Sequence, residues 1–229
     1  MKSNKHVLWQ AFLAACIIFG IGIFLGFMLE DYRTSKIAQL FASSEIALLD
    51  ARIQNQIYQT SGFDCEKAVE ENINFGDRIY DEAKILDRSK KANKLDDSII
   101  QEHKKYDLLR VLFWINSINI KQSCNASYHT IIYLYDLIDP GLEKNSRQAV
   151  FANVLKDLKN KYGHDVMLIP IAGDNNLTSV SLMMYKYNIT TLPTVLIDEK
   201  IKIEELETVE ELEQYIIENN KKPAPFFQR

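Results

Sequence analysis

The cysteines are the residues best suited to chemistry in this sequence, and their spacing limits what that chemistry is. There are three, at Cys16, Cys65 and Cys124. Cys16 lies inside an apolar run, so Cys65 and Cys124 remain as a pair. Redox-active dithiols usually lie two residues apart at the start of a helix, where the thiol pKa is lowered. The wide spacing of this pair therefore favours a structural bond over a catalytic one.

Other residues that could do chemistry are scattered. No histidine has a Cys, Asp or Glu at the spacing of metal ligands, so we expect no metal site; the histidines are His6, His103, His129 and His164. Asp136 and Asp139 lie in a predicted loop, where aspartates usually form turns and caps. The sequence has no Ser-His-Asp set, paired carboxylates or glycine-rich phosphate loop. We predict no catalytic residues and no cofactor.

Three asparagines head N-x-[ST] sequons, at Asn125, Asn176 and Asn188. They are candidate glycosylation sites only if this part of the chain faces outward in a cell that glycosylates proteins. The charges are mixed along the chain, with 31 acidic and 27 basic residues and a net charge of -4. No basic face is available for a phosphate backbone, so nucleic acid is not an expected partner.

Residues 7–29 are apolar at every position except Gln10. As one helix this run would extend about 34 Å, enough to cross a hydrocarbon core of about 30 Å once. It is longer than the apolar part of a signal peptide, and Glu30 and Asp31 follow it without a small-x-small cleavage site. Lys2 and Lys5 precede the run and Arg33 and Lys36 follow it, so only the free amino terminus tips the charge balance towards a cytoplasmic amino terminus and a main domain outside the cytoplasm.

Within the run, Gly22 and Gly26 form a G-x-x-x-G pattern. Small residues four apart let two membrane helices approach closely. The pattern predicts a homodimer through the transmembrane helix, although glycine is also common in membrane helices that do not associate.

Apolar residues recur every three or four positions beyond the run and predict helices at 31–58, 65–89 and 98–118, with a polar turn at 90–97. If the last two helices form a hairpin about residue 93, Cys65 lies opposite residue 121 and within reach of Cys124. We therefore predict a Cys65–Cys124 disulfide, with two unlinked buried thiols as the alternative.

The pattern changes after Cys124. Strands are predicted at 130–135, 166–171, 194–197 and 201–203. Helices are predicted at 146–162 and 177–187, and a last helix begins at Thr208, with Glu211 completing a capping box. Residues 220–229 are predicted to be a tail. The order is strand, helix, strand, helix, strand, strand, helix.

This order, together with the segment YKYNITTLPTVLI at 185–197, resembles the thioredoxin family. In that family a helix ends in an aromatic residue, an apolar residue follows, and Pro-Thr opens the next strand. Tyr187, Ile189, Pro193 and Thr194 match that pattern here. The resemblance covers about residues 128–219. It implies a cis peptide bond before Pro193 and a backbone contact to extended peptides, so Leu192 and Pro193 are the candidate peptide-binding residues.

The sequence departs from the family at one decisive place. Family enzymes carry C-x-x-C just after the first strand, whereas residues 136–142 read DLIDPGL and no cysteine follows Cys124. We therefore expect an α/β chain with an N-terminal transmembrane helix, a helical hairpin and a thioredoxin-like βαβαββα domain. The predicted boundaries are 1–6, 7–29, 30–124, 125–219 and 220–229.

The function expected from these features is a redox-inactive protein- or peptide-binding module anchored in the cell membrane by a single span. Two alternatives remain. One is a thiol-disulfide oxidoreductase that uses Cys65 and Cys124, and the other is a structural subunit of a membrane assembly. The identity of the protein or peptide partner does not follow from the sequence.

Overall fold

The computed structural model describes the backbone of residues 5–58, 60, 62–92 and 97–220, and the side chains of 9–32 and of most of 45–217. The chain divides into two compact units, Met1–Glu45 and Ile46–Arg229. Six α-helices and four β-strands are described. The helices are α1 (Lys5–Tyr58), α2 (Cys65–Ala92), α3 (Asp97–Cys124), α4 (Gly141–Tyr162), α5 (Thr178–Lys186) and α6 (Val209–Asn220). The strands are β1 (His129–Tyr135), β2 (Val166–Ala172), β3 (Thr194–Ile197) and β4 (Ile201–Ile203).

The first unit contains the beginning of α1. Its segment Trp9–Tyr32 is long and apolar enough to span a membrane, and none of that segment is buried. Cys16 is a free, exposed thiol, as its place in the apolar run predicts. Gly22 and Gly26 have no side chain or neighbouring element within 4 Å of the position that a Cβ would occupy. That face is open, and the homodimer through it stays a prediction.

The second unit contains the last turns of α1, which continue the helix to Tyr58 as the periodicity predicts. Leu48 and Ala51 pack into the core of this unit. Asn116 of α3 donates from Nδ2 to the Ala51 carbonyl at 3.0 Å, and its Oδ1 accepts from Asn55 Nδ2 at 2.6 Å. One face of α1 is thereby fixed to α3.

The hairpin of α2 and α3 is joined as the cysteine spacing predicts. Cys65 and Cys124 form a disulfide, with their Cα atoms 5.4 Å apart. Both helices are longer than predicted, and 93–96 of the predicted turn lie outside the described residues. α3 continues past residue 118 because Ile120 is fully buried and Lys121 forms an ion pair with Asp198.

The strands form one mixed sheet in the order β2-β1-β3-β4. β1 is parallel to β2 and antiparallel to β3, and β4 is antiparallel to β3. β2 is an edge strand and contains Pro170, which has no N–H to donate and is therefore tolerated only where one side of the strand is unpaired.

Two apolar clusters cover the two faces of the sheet, as the continuously apolar central strands predict. One cluster combines residues of α2, α3 and α5 with Ile132, Leu134 and Ile169 of the sheet. The other combines residues of α4 and α6 with Ile131 and Val195. The hairpin is thus part of the same packed body as the sheet, and the boundary predicted after Cys124 stays a prediction.

Element ends differ from expectation in one informative case. α4 was expected to begin near Ser146 but begins at Gly141, immediately after Pro140. The Ser146 hydroxyl donates to the Leu142 carbonyl at 2.9 Å, so it lies inside the helix and does not cap it. The capping box at α6 is confirmed, since Thr208 N–H donates to Glu211 Oε2 at 2.8 Å. The tail beyond residue 220 lies outside the described residues.

The three sequon asparagines share an unusual backbone. Asn125, Asn176 and Asn188 are exposed, and their φ angles are 51°, 58° and 52°. Asn adopts this left-handed conformation at lower cost than most residues, and Asn125 and Asn188 follow the ends of α3 and α5, where it stops a helix. The backbone therefore accounts for asparagine at these positions without glycosylation.

Candidate functional site

The predicted peptide-binding residues lie at one end of the sheet, where β1 and β2 end and β3 begins. We call this the open end and define it by three segments: 136–142, 173–177 and 190–193. They come together because β1 and β2 are parallel, so their carboxyl ends meet, while antiparallel β3 begins beside Leu134. Ligands of α/β proteins usually bind at the carboxyl ends of the parallel strands, which lie at this end of the sheet.

The Leu192–Pro193 bond is cis, as the resemblance predicts. The two residues are not equally accessible, because Pro193 is buried whereas Leu192 is half-buried. A Cβ on Gly173 would lie 2.6 Å from Leu192 Cδ1 and 3.3 Å from Met184 Sδ, so Gly173 makes the room in which Leu192 sits. Of the predicted pair, only Leu192 is partly exposed to solvent.

The loop after β1 is held by carboxylates. Asp174 accepts the N–H groups of Leu137 and Ile138 on its two oxygens, at 2.8 and 2.7 Å. The Asp136 backbone exchanges two hydrogen bonds with the Gln148 amide, and its carboxylate lies 2.6 Å from Lys144 Nζ. Asp136 is therefore held by its backbone and by Lys144, and the turn-forming role of its side chain stays a prediction.

A buried ion pair fixes the second loop of the open end. Asp107 of α3 is fully buried and accepts from Asn175 Nδ2 at 2.6 Å and from the Ala172 N–H at 3.3 Å. Arg110 Nη1 lies 3.2 Å from the same carboxylate. Burial raises the pKa of Asp107 to about 6, although the Arg110 charge and the hydrogen bonds from Ala172 and Asn175 oppose it.

Two exposed apolar side chains complete the open end. Ile138 is 43% exposed, and Leu142, at the start of α4, is 86% exposed. Neither was singled out from the sequence, because the segment 136–142 is too short and irregular to show a hydrophobic periodicity. Their exposure beside a loop fixed by Asp174 is the feature of this end that packing does not explain.

The opposite end of the sheet, which we call the closed end, holds a buried charge network. Asp198, in the turn between β3 and β4, forms an ion pair with Lys121 and is hydrogen-bonded to His129 Nδ1 at 2.6 Å. It also accepts the Thr130 N–H at 3.0 Å. Burial alone would raise the pKa of Asp198, but the His129 hydrogen bond and the Lys121 charge outweigh it and lower the pKa to about 2.

Glu199 extends the network at the next residue. Its Oε1 accepts from Trp114 Nε1 at 2.7 Å and from the Thr130 hydroxyl at 2.8 Å. Burial raises the pKa of Glu199 against these hydrogen bonds. Asp198 and Glu199 both have positive φ, 49° and 57°, as the central residues of a turn that the Lys200 N–H closes by donating to the Ile197 carbonyl at 3.0 Å. Because this conformation is costly for glutamate, its buried contacts have a structural role in holding the turn.

The His129–Asp198 pair resembles part of a catalytic set but lacks what catalysis needs. His129 Nε2 is buried and has no hydrogen-bond partner among the described residues, so no hydroxyl or thiol there is placed to lose a proton to it. Elsewhere His164 contacts Asp77 at 2.9 Å, and His103 is buried in α3. Across the described part of the chain, no group of three or more His, Cys, Asp or Glu side chains is arranged to hold a metal ion.

Comparison with known proteins adds no identification. No protein-family model matches the chain, and no curated protein sequence matches it. The function must therefore be inferred from the residues and their geometry.

Proposed function

We propose that this protein is a single-pass membrane protein whose second unit has a thioredoxin-like fold and binds protein or peptide segments at the open end, without thiol-disulfide chemistry. Three kinds of observation support it: the sheet, the apolar helix, and the surface of the open end.

The support for the fold is topological. A sheet with the order β2-β1-β3-β4, with β1 and β2 parallel and with β3 and β4 antiparallel, is what a thioredoxin-like domain would require. The cis bond before Pro193 agrees with the same resemblance. The segment that carries C-x-x-C in the family enzymes has no cysteine here, so the exchange reaction has no thiolate at this place.

The support for the location comes from the helix and the disulfide. Trp9–Tyr32 can span a hydrocarbon core, which supports a single-pass anchor, whereas Lys2 and Lys5 before it are balanced by Arg33 and Lys36 after it. The Cys65–Cys124 bond favours a compartment in which disulfides persist, and this supports a second unit outside the cytoplasm.

The single observation that carries the binding function is the exposure of Ile138 and Leu142 at the open end, to which half-buried Leu192 also belongs. A partner that covers exposed apolar side chains removes them from water, which favours binding. The Leu137 and Ile138 N–H groups are already bonded to Asp174, so the partner is bound mainly by apolar contact at this loop.

One observation favours a second candidate. Cys65 is the first residue of α2, and a helix N-terminus stabilises a thiolate. A dithiol function of Cys65 and Cys124 would require a reduction potential close to that of the compartment. We expect a potential well below it, which redox titration of the full chain followed by thiol labelling will measure.

The binding function is tested with the full chain in nanodiscs on an array of extended peptides. Binding should fall at least tenfold with Leu142→Asp and with Leu192→Asp, and it should be unchanged with Lys200→Asp, an exposed position at the closed end. Insulin reduction by the same preparation should stay at background. Array binding that survives both open-end substitutions would show that the open end is not the binding surface.

A further inference from the structure

The last turns of α1 carry a second apolar face that is separate from the face packed on α3. Four large aliphatic side chains form it, with exposures between 48% and 69%: Ile46, Leu49, Ile53 and Ile57. At about 100° per residue they fall within an arc of about 80°, so they make one narrow stripe along the helix. We call it the α1 stripe. Leu48 and Ala51, on the opposite side of the helix, pack into the core.

We propose that the α1 stripe is an interface between two copies of this chain, packed side by side about a two-fold axis along the helix. The arrangement rests on the proposed membrane anchor, because two copies inserted in one membrane have their helices pointing the same way. A two-fold interface is self-complementary, so one stripe meets the same stripe of the second copy.

The charges beside the stripe are complementary under that symmetry. Asp50 flanks the stripe on one side and Arg52 on the other, and both are exposed. The two-fold axis brings the Arg52 flank of one copy beside the Asp50 flank of the second. Along the helix axis, Arg52 of one copy and Asp50 of the second copy differ in height by about 3 Å. Glu45 lies on the same side of the stripe as Arg52, and its height differs from that of Asp50 by about 7.5 Å. Attraction between opposite charges therefore exceeds repulsion between the carboxylates.

The size of the stripe also fits copies that are held in a membrane. The exposed area of the four residues is roughly 400 Å² per copy, about half of what each partner buries in a standard stable interface. Such an interface is weak between freely diffusing proteins. Confinement in one membrane raises the effective concentration and makes a small interface sufficient.

Two other occupants fit less well. Acyl chains are disfavoured because Asp50 and Arg52 flank the stripe, which begins well beyond Tyr32, the last residue of the apolar segment. The chain's own residues 221–229 contain Phe226 and Phe227 and are the other apolar segment to consider. Coverage of the stripe by residues 221–229 is therefore one of the outcomes that the test distinguishes.

The test uses the full chain in membranes, with Cys16→Ser to remove the free thiol. Ile53→Cys lies on the stripe, and Gln54→Cys is the control, because it is the next residue along the helix, is half-exposed and is turned about 100° away from position 53. On mild oxidation we expect Ile53→Cys to form a disulfide-linked species at least tenfold more than the control, with a mass of two chains. Equal yields, or a linked species containing another protein, would overturn the proposal.

Two further variants separate the remaining outcomes. Asp50→Arg should reduce crosslinking at position 53 several-fold, and the swapped pair Asp50→Arg with Arg52→Asp should restore it. A chain ending at Asn220 should crosslink as the full chain does. If position 53 instead becomes reactive to maleimide only after that truncation, and no dimer forms, the stripe is covered by residues 221–229 and the proposal is wrong.

Failure of the anchor is distinguishable from failure of the stripe. A chain that carbonate removes from the membrane pellet would overturn the proposed anchor and this inference with it. A chain that stays in the pellet, with position 53 no more crosslinked than position 54, would overturn this inference alone.

Discussion

At the closed end of the sheet, charged side chains from α3, β1 and the β3–β4 turn contact one another: Lys121, His129 and Asp198. Lys121 is close in sequence to the disulfide at Cys124. At the open end, Asp174 and Asn175 fix the loop backbones but leave Ile138 and Leu142 in solvent. One end therefore uses its polar groups to join elements, and the other uses them to hold a surface in place. The difference separates groups whose loss should cost stability from groups whose loss should cost binding.

The largest effect is expected from the disulfide that joins the hairpin ends. The two cysteines are 59 residues apart in sequence. Removing the bond frees a loop of that length in the unfolded chain and should lower the free energy of unfolding by about 4 kcal/mol in the loop-closure model. Urea unfolding of the double variant Cys65→Ser with Cys124→Ser measures it. A loss below about 1 kcal/mol would mean that the bond does not join the hairpin ends in the folded chain.

The next effect is expected at the centre of the closed-end network. Asp198→Ala leaves Lys121 and His129 without their carboxylate partner, which should cost about 3 kcal/mol of unfolding free energy. Because the pKa of Asp198 is lowered to about 2, its stabilising effect is complete above about pH 4 and is lost as pH falls through 2. Denaturant titrations between pH 2 and 5 should show this acid loss in the parent chain but not in the variant.

The buried aspartate at the open end should respond to pH with the opposite sign. The pKa of Asp107 is raised to about 6, so the folded chain holds a proton there that the unfolded chain releases near pH 4. Stability should therefore fall as pH rises from 4 to 6, by about 2 to 3 kcal/mol. Asp107→Asn should remove this slope. A slope that persists in the variant would assign the titration to another group.

The smallest effect on stability is expected at Gly173, next to Leu192 at the open end. Gly173→Ala brings a Cβ to 2.6 Å from Leu192 Cδ1, and the leucine side chain must turn away, at a cost of about 1 kcal/mol. A double-mutant cycle with Leu192→Ala should show that the second substitution costs less once the first is present. Additive costs would mean that the two residues are not in contact.

The contacts of the two ends could be predicted from the sequence to different extents. The helices, the strands and the Cys65–Cys124 bond follow from local periodicity and from equal distances about one turn. The closed-end network does not, because Lys121 and Asp198 are 77 residues apart and only the folded sheet brings them together. The contact of Asp107 with Asn175 spans 68 residues and was missed for the same reason.

The open end was predicted in part. Burial is a property of the packed chain, and the short segments 136–142 and 190–193 have no hydrophobic periodicity from which it could be inferred.

Photocrosslinking tests the contrast between the two ends most directly. A peptide that the full chain binds on the array is added to chains carrying a photoreactive amino acid at Leu142, at the open end, or at Lys200, at the closed end; both positions are exposed. We expect the peptide to be captured at position 142 and not at position 200. Capture at position 200 with none at position 142 would contradict the assignment of binding to the open end.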